Sequence, residues 1–243
     1  MTVASHTHLF RPHTLIVALL LLLCPFVAHA FTYVTCTESR YTVADLERIG
    51  AIGEHLQLSS NTSFIITSDC YLREICGYDG SNVYEVEIVL ADGATLTVDQ
   101  GAGNLPGISA ANITVSGDGK LLVTGKDCAL NLKGGQLLIE KTEVELVARS
   151  RRGQAVVGEN QSEMRVVDSE LSISSMNSAL AGNFASFAVA GERSKVTIGG
   201  SVGAGNGNQP AEFIVEGGEV SVTAVAEQLF TLPMSQSKMP NSL

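Results

Sequence analysis

The chain has 243 residues, of which 45% are apolar and 16% are charged, and its net charge at pH 7 is −10. This composition excludes a disordered chain. The excess of acidic side chains argues against a nucleic-acid partner, because phosphate binding requires a basic face. The composition by itself assigns no activity.

The first predicted element is a secretory signal peptide over residues 1–30. An almost wholly apolar run from Leu15 to Val27 is followed by Ala28-His29-Ala30, the A-x-A pattern of a cleavage site. The run is short for a membrane span of about 20 residues, and an uncleaved signal anchor is the alternative. We therefore predict a secreted or cell-surface protein with no membrane span after the signal is removed.

A short helix is predicted next, inside an N-terminal cap of residues 31–54. Thr42 is a typical N-cap residue, acidic residues follow in the first turn, and Gly50 is typical of a helix end. Leu46 and Ile49 are expected to face the first coil of a sheet domain. That coil is predicted at 55–58 and 63–67.

Four cysteines lie beyond residue 30. An even number in an exported chain predicts two disulfides, and the sequence leaves all three pairings open. A zinc site is the other interpretation, but no two of these cysteines have C-x-x-C spacing, so we predict no metal and no cofactor. The four disulfide candidates are Cys36, Cys70, Cys76 and Cys128.

The segment 68–85 is predicted to interrupt the regular pattern of the chain and to be held by disulfides. It contains three of the five tyrosines beside charged and polar side chains, and sugar recognition favours an aromatic face next to hydrogen-bonding groups. An ordinary ordered loop is the alternative. The candidate ligand-binding residues are Tyr71, Arg73, Tyr78, Asp79 and Tyr84.

Five segments between residues 113 and 224 repeat one pattern, in which two alternating apolar runs flank a polar turn. Equivalent positions form apolar columns about 24 residues apart, and a weaker apolar stretch between repeats adds a third short strand. An earlier copy is visible at 86–98. The columns are Val115, Ile139, Val166, Val189 and Val215; Leu121, Val144, Leu171, Val196 and Val220; and Val123, Leu146, Ile173, Ile198 and Val222.

This repeat predicts an all-β protein, a parallel β-helix over residues 55–232 followed by a polar tail over 233–243. Stacked coils of three strands align the columns, bury them, and leave unpaired edges only at the two ends. An antiparallel β-sandwich is the alternative, but a sandwich gives no reason for aligned columns at this period.

The opening of the chain resembles that of the pectin-lyase-like superfamily, in which a T-V-x-D-L helix precedes an L-x-L strand and an F-I-I-T strand. These motifs stand here at 42–46, 56–58 and 64–67. The repeats resemble secreted proteins described as carbohydrate-binding-domain-containing, with strand, G-D-G or G-G turn, and strand. The resemblance covers roughly 42–230 and implies a right-handed β-helix, a fold that hosts many activities.

The superfamily includes polysaccharide lyases and glycoside hydrolases, but the hydrolase elements N-T-D, D-D, G-H-G and R-I-K are absent here. The acid pairs Glu85/Glu87 and Glu143/Glu145 have the spacing of a solvated strand face. We therefore expect a non-enzymatic, adhesin-like or glycan-associated surface binding module whose partner is a glycan or a surface protein. A lyase or hydrolase of this fold and a structural matrix or cell-wall protein are the alternatives.

Two further features bear on these alternatives. A cluster of acids, or of acids with arginine, along one coil face would favour the enzyme. The basic loop 149–152 on an acidic chain is a candidate contact for an anionic polymer, although such a run is more typical of a solvated corner.

Overall fold

The computed structural model describes residues 33–202 and 212–223. The chain divides into two units, 1–31 and 32–243, and all described residues belong to the second unit. The predicted signal peptide, residues 203–211 and 224–232 of the predicted β-helix, and the polar tail lie outside the described residues.

The described residues form nineteen strands and one short helix, α1, over Val43–Arg48. The strands are β1 Tyr33–Cys36, β2 Arg40–Thr42, β3 His55–Leu58, β4 Thr62–Ile66, β5 Cys70–Leu72, β6 Glu74–Cys76, β7 Val86–Leu90, β8 Thr95–Asp99, β9 Ile108–Ala110, β10 Ile113–Gly117, β11 Lys120–Gly125, β12 Cys128–Leu132, β13 Gln136–Glu140, β14 Glu143–Ala148, β15 Gln154–Val167, β16 Glu170–Ala190, β17 Lys195–Val202, β18 Glu212–Glu216 and β19 Glu219–Thr223.

The strands form three parallel sheets, which the chain visits in turn. Sheet A contains β2, β4, β7, β10, β13, the ends of β15 and β16, and β18. Sheet B contains β5, β8, β11, β14, the starts of β16 and β17, and β19. Sheet C contains β1, β3, β6, β9, β12, the start of β15, the middle of β16 and the end of β17. The prediction of an all-β parallel β-helix with coils of about 24 residues is confirmed.

The predicted columns pair in register inside the coil. Val115 lies opposite Ile139, Ile139 opposite Val166, and Val166 opposite Val189, and all four side chains are fully buried. Burial of stacked apolar side chains is the main stabilising contribution in such a fold. At the last described coil Val215 remains 43% exposed.

Helix α1 has the predicted start. Thr42 is its N-cap, and a capping box joins the Thr42 side chain to the Asp45 backbone amide and the Asp45 carboxylate to the Thr42 amide. Leu46 is fully buried, and Ile49 packs against the core. The stack nevertheless begins earlier than predicted, because β1 and β2 precede the helix and pair with β3 and β4.

The segment 68–85 does not interrupt the repeat as a whole. β5 pairs with β8 in sheet B, and β6 pairs with both β3 and β9 in sheet C. Only residues 77–85 depart from the regular coil. They form an extended turn closed by an antiparallel bridge between Tyr78 and Val83.

The prediction of two disulfides is wrong for this structure, because Cys36, Cys70, Cys76 and Cys128 are free thiols. Cys36 and Cys76 lie in the first and third strands of sheet C and are offset by one residue. Two strand spacings are about 9.6 Å, and a disulfide requires Cα atoms within roughly 7 Å. Cys128 lies two strands beyond Cys76, and Cys70 belongs to sheet B.

Candidate functional site

The corner between sheets C and A, called here the CA corner, holds three of the five predicted binding residues. Tyr78, Asp79 and Tyr84 lie together in the 77–85 turn. The Tyr84 amide donates to the Gly77 carbonyl at 2.7 Å, which closes the turn at its base. The side chain of Tyr78 is 40% exposed.

Asp79 fixes the conformation of this turn. Its Oδ1 accepts the backbone amides of Ser81 at 2.9 Å and Asn82 at 2.7 Å, and its Oδ2 accepts the hydroxyl of Tyr84 at 2.8 Å. Hydrogen bonds from the side chain and backbone of Asn82 are the largest causes that lower the pKa of Asp79. The carboxylate is therefore ionised at neutral pH and holds the turn in one shape.

A ladder of amide and carboxylate side chains continues from this turn along the CA corner. Glu85 Oε2 accepts the side-chain amide of Asn61 at 3.2 Å, and Glu85 Oε1 accepts that of Asn112 at 2.7 Å. Asn112 Oδ1 then accepts the backbone amide of Gln136 at 2.8 Å. The ladder links four successive coils, and nothing in the sequence pattern indicated it.

A groove of about 350 Å³ follows the ladder. Its lining is almost wholly polar and comprises Ser39, Asn61, Thr62, Ser63, Glu85, Val86, Glu87, Asn112 and Thr114. The Lys133 ammonium lies over the Tyr78 ring, 5.5 Å from its centroid, where a cation–π contact is favourable. The CA corner thus combines an oriented aromatic ring with planar hydrogen-bonding groups.

The other two predicted binding residues lie at the BC corner, between sheets B and C. Tyr71 projects from β5, and its hydroxyl donates to the Asp99 carbonyl at 3.3 Å. Arg73 stands at the turn between β5 and β6, and its Nε donates to the Gly53 carbonyl at 2.9 Å. The five predicted residues therefore form two groups at different corners rather than one site.

A second groove, of about 470 Å³, lies at the AB corner, and no motif in the sequence indicates it. It crosses successive turns and carries charges of both signs. Lys120 forms ion pairs with both Glu143 and Glu145, as expected of a solvated strand face. The charged lining residues are Asp92, Asp118, Lys120, Lys141, Glu143, Asp168, Glu170 and Arg193.

A buried polar cluster joins the first three strands of sheet C. Glu74 Oε2 accepts the Tyr33 hydroxyl at 3.1 Å and lies 2.9 Å from Nδ1 of His55. Glu74 is 1% exposed and His55 is 3% exposed. Burial is the largest cause that raises the pKa of Glu74, while its hydrogen bonds with His55 and Tyr33 oppose the rise.

Within residues 33–202 and 212–223, no group of three or more potential metal-ligating side chains is assembled. No helix in that part of the chain is long and apolar enough to cross a membrane. Comparisons of the chain with protein-family models, curated proteins and solved structures gave no match.

Proposed function

We propose that this chain is an exported, non-enzymatic binding module that holds a neutral glycan at the CA corner. The observation that supports this proposal is that the CA corner carries both the exposed Tyr78 and the Asn61–Glu85–Asn112 ladder. An aromatic face packs on the apolar face of a sugar ring, while amide and carboxylate groups bind its hydroxyls.

The charges of the CA corner favour a neutral ligand over an acidic one. Glu85 and Glu87 line the groove, and Asp79 is ionised in the turn that precedes Glu85, so an anionic sugar would be repelled. The nearby Lys133 ammonium forms an ion pair with Glu159 at 2.8 Å, which offsets its charge. The proposal also assigns the β-helix to the pectin-lyase-like superfamily and the protein to the cell exterior.

The test is a glycan array followed by titration calorimetry with the best neutral glycan. We expect Tyr78→Ala to weaken binding at least tenfold, which corresponds to about 1.4 kcal/mol. Tyr71→Ala is the matched control, because Tyr71 is 41% exposed and Tyr78 is 40% exposed but they lie at different corners. Equal affinities of Tyr78→Ala and the unchanged protein would reject the CA corner as the site.

A second candidate function is polysaccharide cleavage at the AB corner, and a specific observation favours it. The groove there carries acids together with Arg193 along successive turns, which is the feature that distinguishes an enzyme in this fold. Asp118, Lys141 and Asp168 line this groove on three successive turns. Glycosidases hydrolyse through a pair of carboxyl groups that flank the scissile bond, and Asp118 and Asp168 are the candidates for such a pair.

Product release from polysaccharides decides between the two functions. Turnover that is abolished by Asp118→Asn or Asp168→Asn would establish the enzyme. The binding module predicts no turnover on any polysaccharide that the protein binds, and unchanged binding in both variants.

A further inference from the structure

The BC corner gathers positive charge on an acidic chain. Its cationic side chains come from successive turns of the coil, and all five residues are exposed. They are Arg73, Lys126, Arg149, Arg151 and Arg152. The carboxylates on the same turns are fewer, namely Glu54, Asp99 and Asp127, so the corner has a positive surplus.

An ion pair between Arg149 and Asp99 joins separate turns at this corner. Arg149 reaches back across the coil of Lys126 to form an ion pair with Asp99, and its Nη2 also donates to the Gly101 carbonyl at 3.4 Å. The Lys126 ammonium donates to Oδ1 of Asn104 at 2.8 Å. These contacts link the turn of Arg149 to the loop at 100–104.

An open groove of about 570 Å³ lies between the linked turns. It is lined by Gly101, Ala102, Lys126, Arg149 and Ser150. Tyr71 lies at the same corner, where its hydroxyl donates to the Asp99 carbonyl, and the residue is 41% exposed. Within the described part of the chain, Arg151 and Arg152 form no ion pair. Their guanidinium groups are therefore available to an external anion.

We propose that the BC corner binds a sulfated polysaccharide, at a site separate from the CA corner. Guanidinium forks match the oxygens of sulfate and remain charged at any physiological pH. At an ionic strength of 0.15 M the Debye length is about 8 Å, so the cations of the corner act on a bound chain while distant acids are screened. The surplus of positive charge at the BC corner is small, so the ligand requires a high density of negative charge. Sulfate groups supply a higher density than one carboxylate per sugar does.

The test is equilibrium binding of the full protein to heparin over a series of salt concentrations. We expect binding that weakens with salt. The double variant Arg151→Ala/Arg152→Ala is expected to lower the affinity at least about tenfold and to reduce the salt slope by about two. The matched control is Arg40→Ala/Arg165→Ala, which removes the same charge from exposed positions of sheet A and is expected to bind like the unchanged protein.

Three results would overturn the proposal. One is absence of heparin binding by the unchanged protein. Another is an equal loss of affinity in both double variants, which would show a general effect of net charge. The third is tighter binding of polygalacturonate or polyglutamate than of heparin, since either would show that the corner selects carboxylates. Equal melting temperatures of the variants exclude loss of the fold as the cause.

Discussion

At the scale of single residues, Glu74 is the buried acid whose protonation is coupled to folding. Burial raises its folded-state pKa above the ordinary value of 4.5, so the folded protein holds this proton more tightly than the unfolded chain. The resulting stabilisation is fully present below about pH 4.5 and is lost as the pH rises through the folded-state pKa.

This coupling predicts how Glu74→Gln changes the response to pH. The free energy of unfolding of the unchanged protein, relative to that of this variant, should fall as the pH rises. The fall should be up to about 1.4 kcal/mol for each pH unit between the pKa of Glu74 in the unfolded chain and its pKa in the folded protein. Urea denaturation of both proteins from pH 4 to 8 measures the difference. A difference that grows with pH would mean that His55 and Tyr33 stabilise the carboxylate more than burial disfavours it.

At the AB corner, equivalent positions of successive coils share a left-handed backbone conformation. Gly117, Lys141, Asp168, Gly191 and Gly217 occupy it in successive coils, with positive φ at each. Glycine adopts this conformation freely, whereas other residues pay about 1–2 kcal/mol. The backbone is therefore strained at Lys141 and Asp168, the two residues of this set that are not glycine.

Substitutions at this position should have opposite effects. A Cβ on Gly117, where φ is +104°, would lie 2.0 Å from the Leu90 carbonyl oxygen, so Gly117→Ala should destabilise the protein by more than about 2 kcal/mol. Lys141→Gly, where φ is +54°, should stabilise it by up to about 1 kcal/mol. Urea denaturation midpoints measure both changes, and a neutral Gly117→Ala would show that this corner is not rigid.

At the scale of elements, the strands depend on the alternation of buried and outward-facing residues. Val166 is fully buried between Ile139 and Val189, while its neighbour Val167 faces outward and is half-buried. Val166→Asp should unfold the adjacent coils, because an unpaired buried carboxylate costs several kcal/mol, a large share of a domain's stability.

The same substitution one residue away is the control for this prediction. Val167→Asp should lower the melting temperature only slightly, because its carboxylate remains in water. Circular dichroism during thermal unfolding measures both variants. A lower melting temperature for Val167→Asp than for Val166→Asp would show that residues 164–167 face the other way.

At the scale of the whole molecule, the β-helix keeps its cysteines apart. Burial raises the pKa of Cys36 and Cys70 to about 11 and that of Cys128 to about 12, so these thiols should be unreactive in the folded protein. Burial raises the pKa of Cys76 as well, but this residue is only half-buried, and its thiol donates to the Tyr78 carbonyl at 3.2 Å. It is therefore the first of the four to react with a thiol reagent.

Thiol counting checks this arrangement. Without a reductant, we expect Cys76 alone of the four to be labelled in the folded protein, and all four to be labelled in denaturant. Cys76→Ser should abolish the labelling of the folded protein. If fewer than four positions were labelled in denaturant, the protein would contain a disulfide, as the sequence predicts.

Several features of the fold were predictable because they depend on local sequence. Thr42 and Asp45 are three residues apart, so their capping box is visible as a motif. The start of the stack was missed because β1 and β2 have only four and three residues, too few to show an alternating pattern.

The β-helix, its coil length and its buried columns are readable from the sequence, because strand alternation and repeat period are properties of neighbouring residues. Which side chains share a corner depends on how the coils stack in three dimensions. Tyr71 and Tyr78 are seven residues apart but lie at different corners, because the chain turns at Arg73 between sheets B and C. Asp99 and Arg149 are 50 residues apart and form an ion pair, because stacking brings distant coils within reach of one side chain.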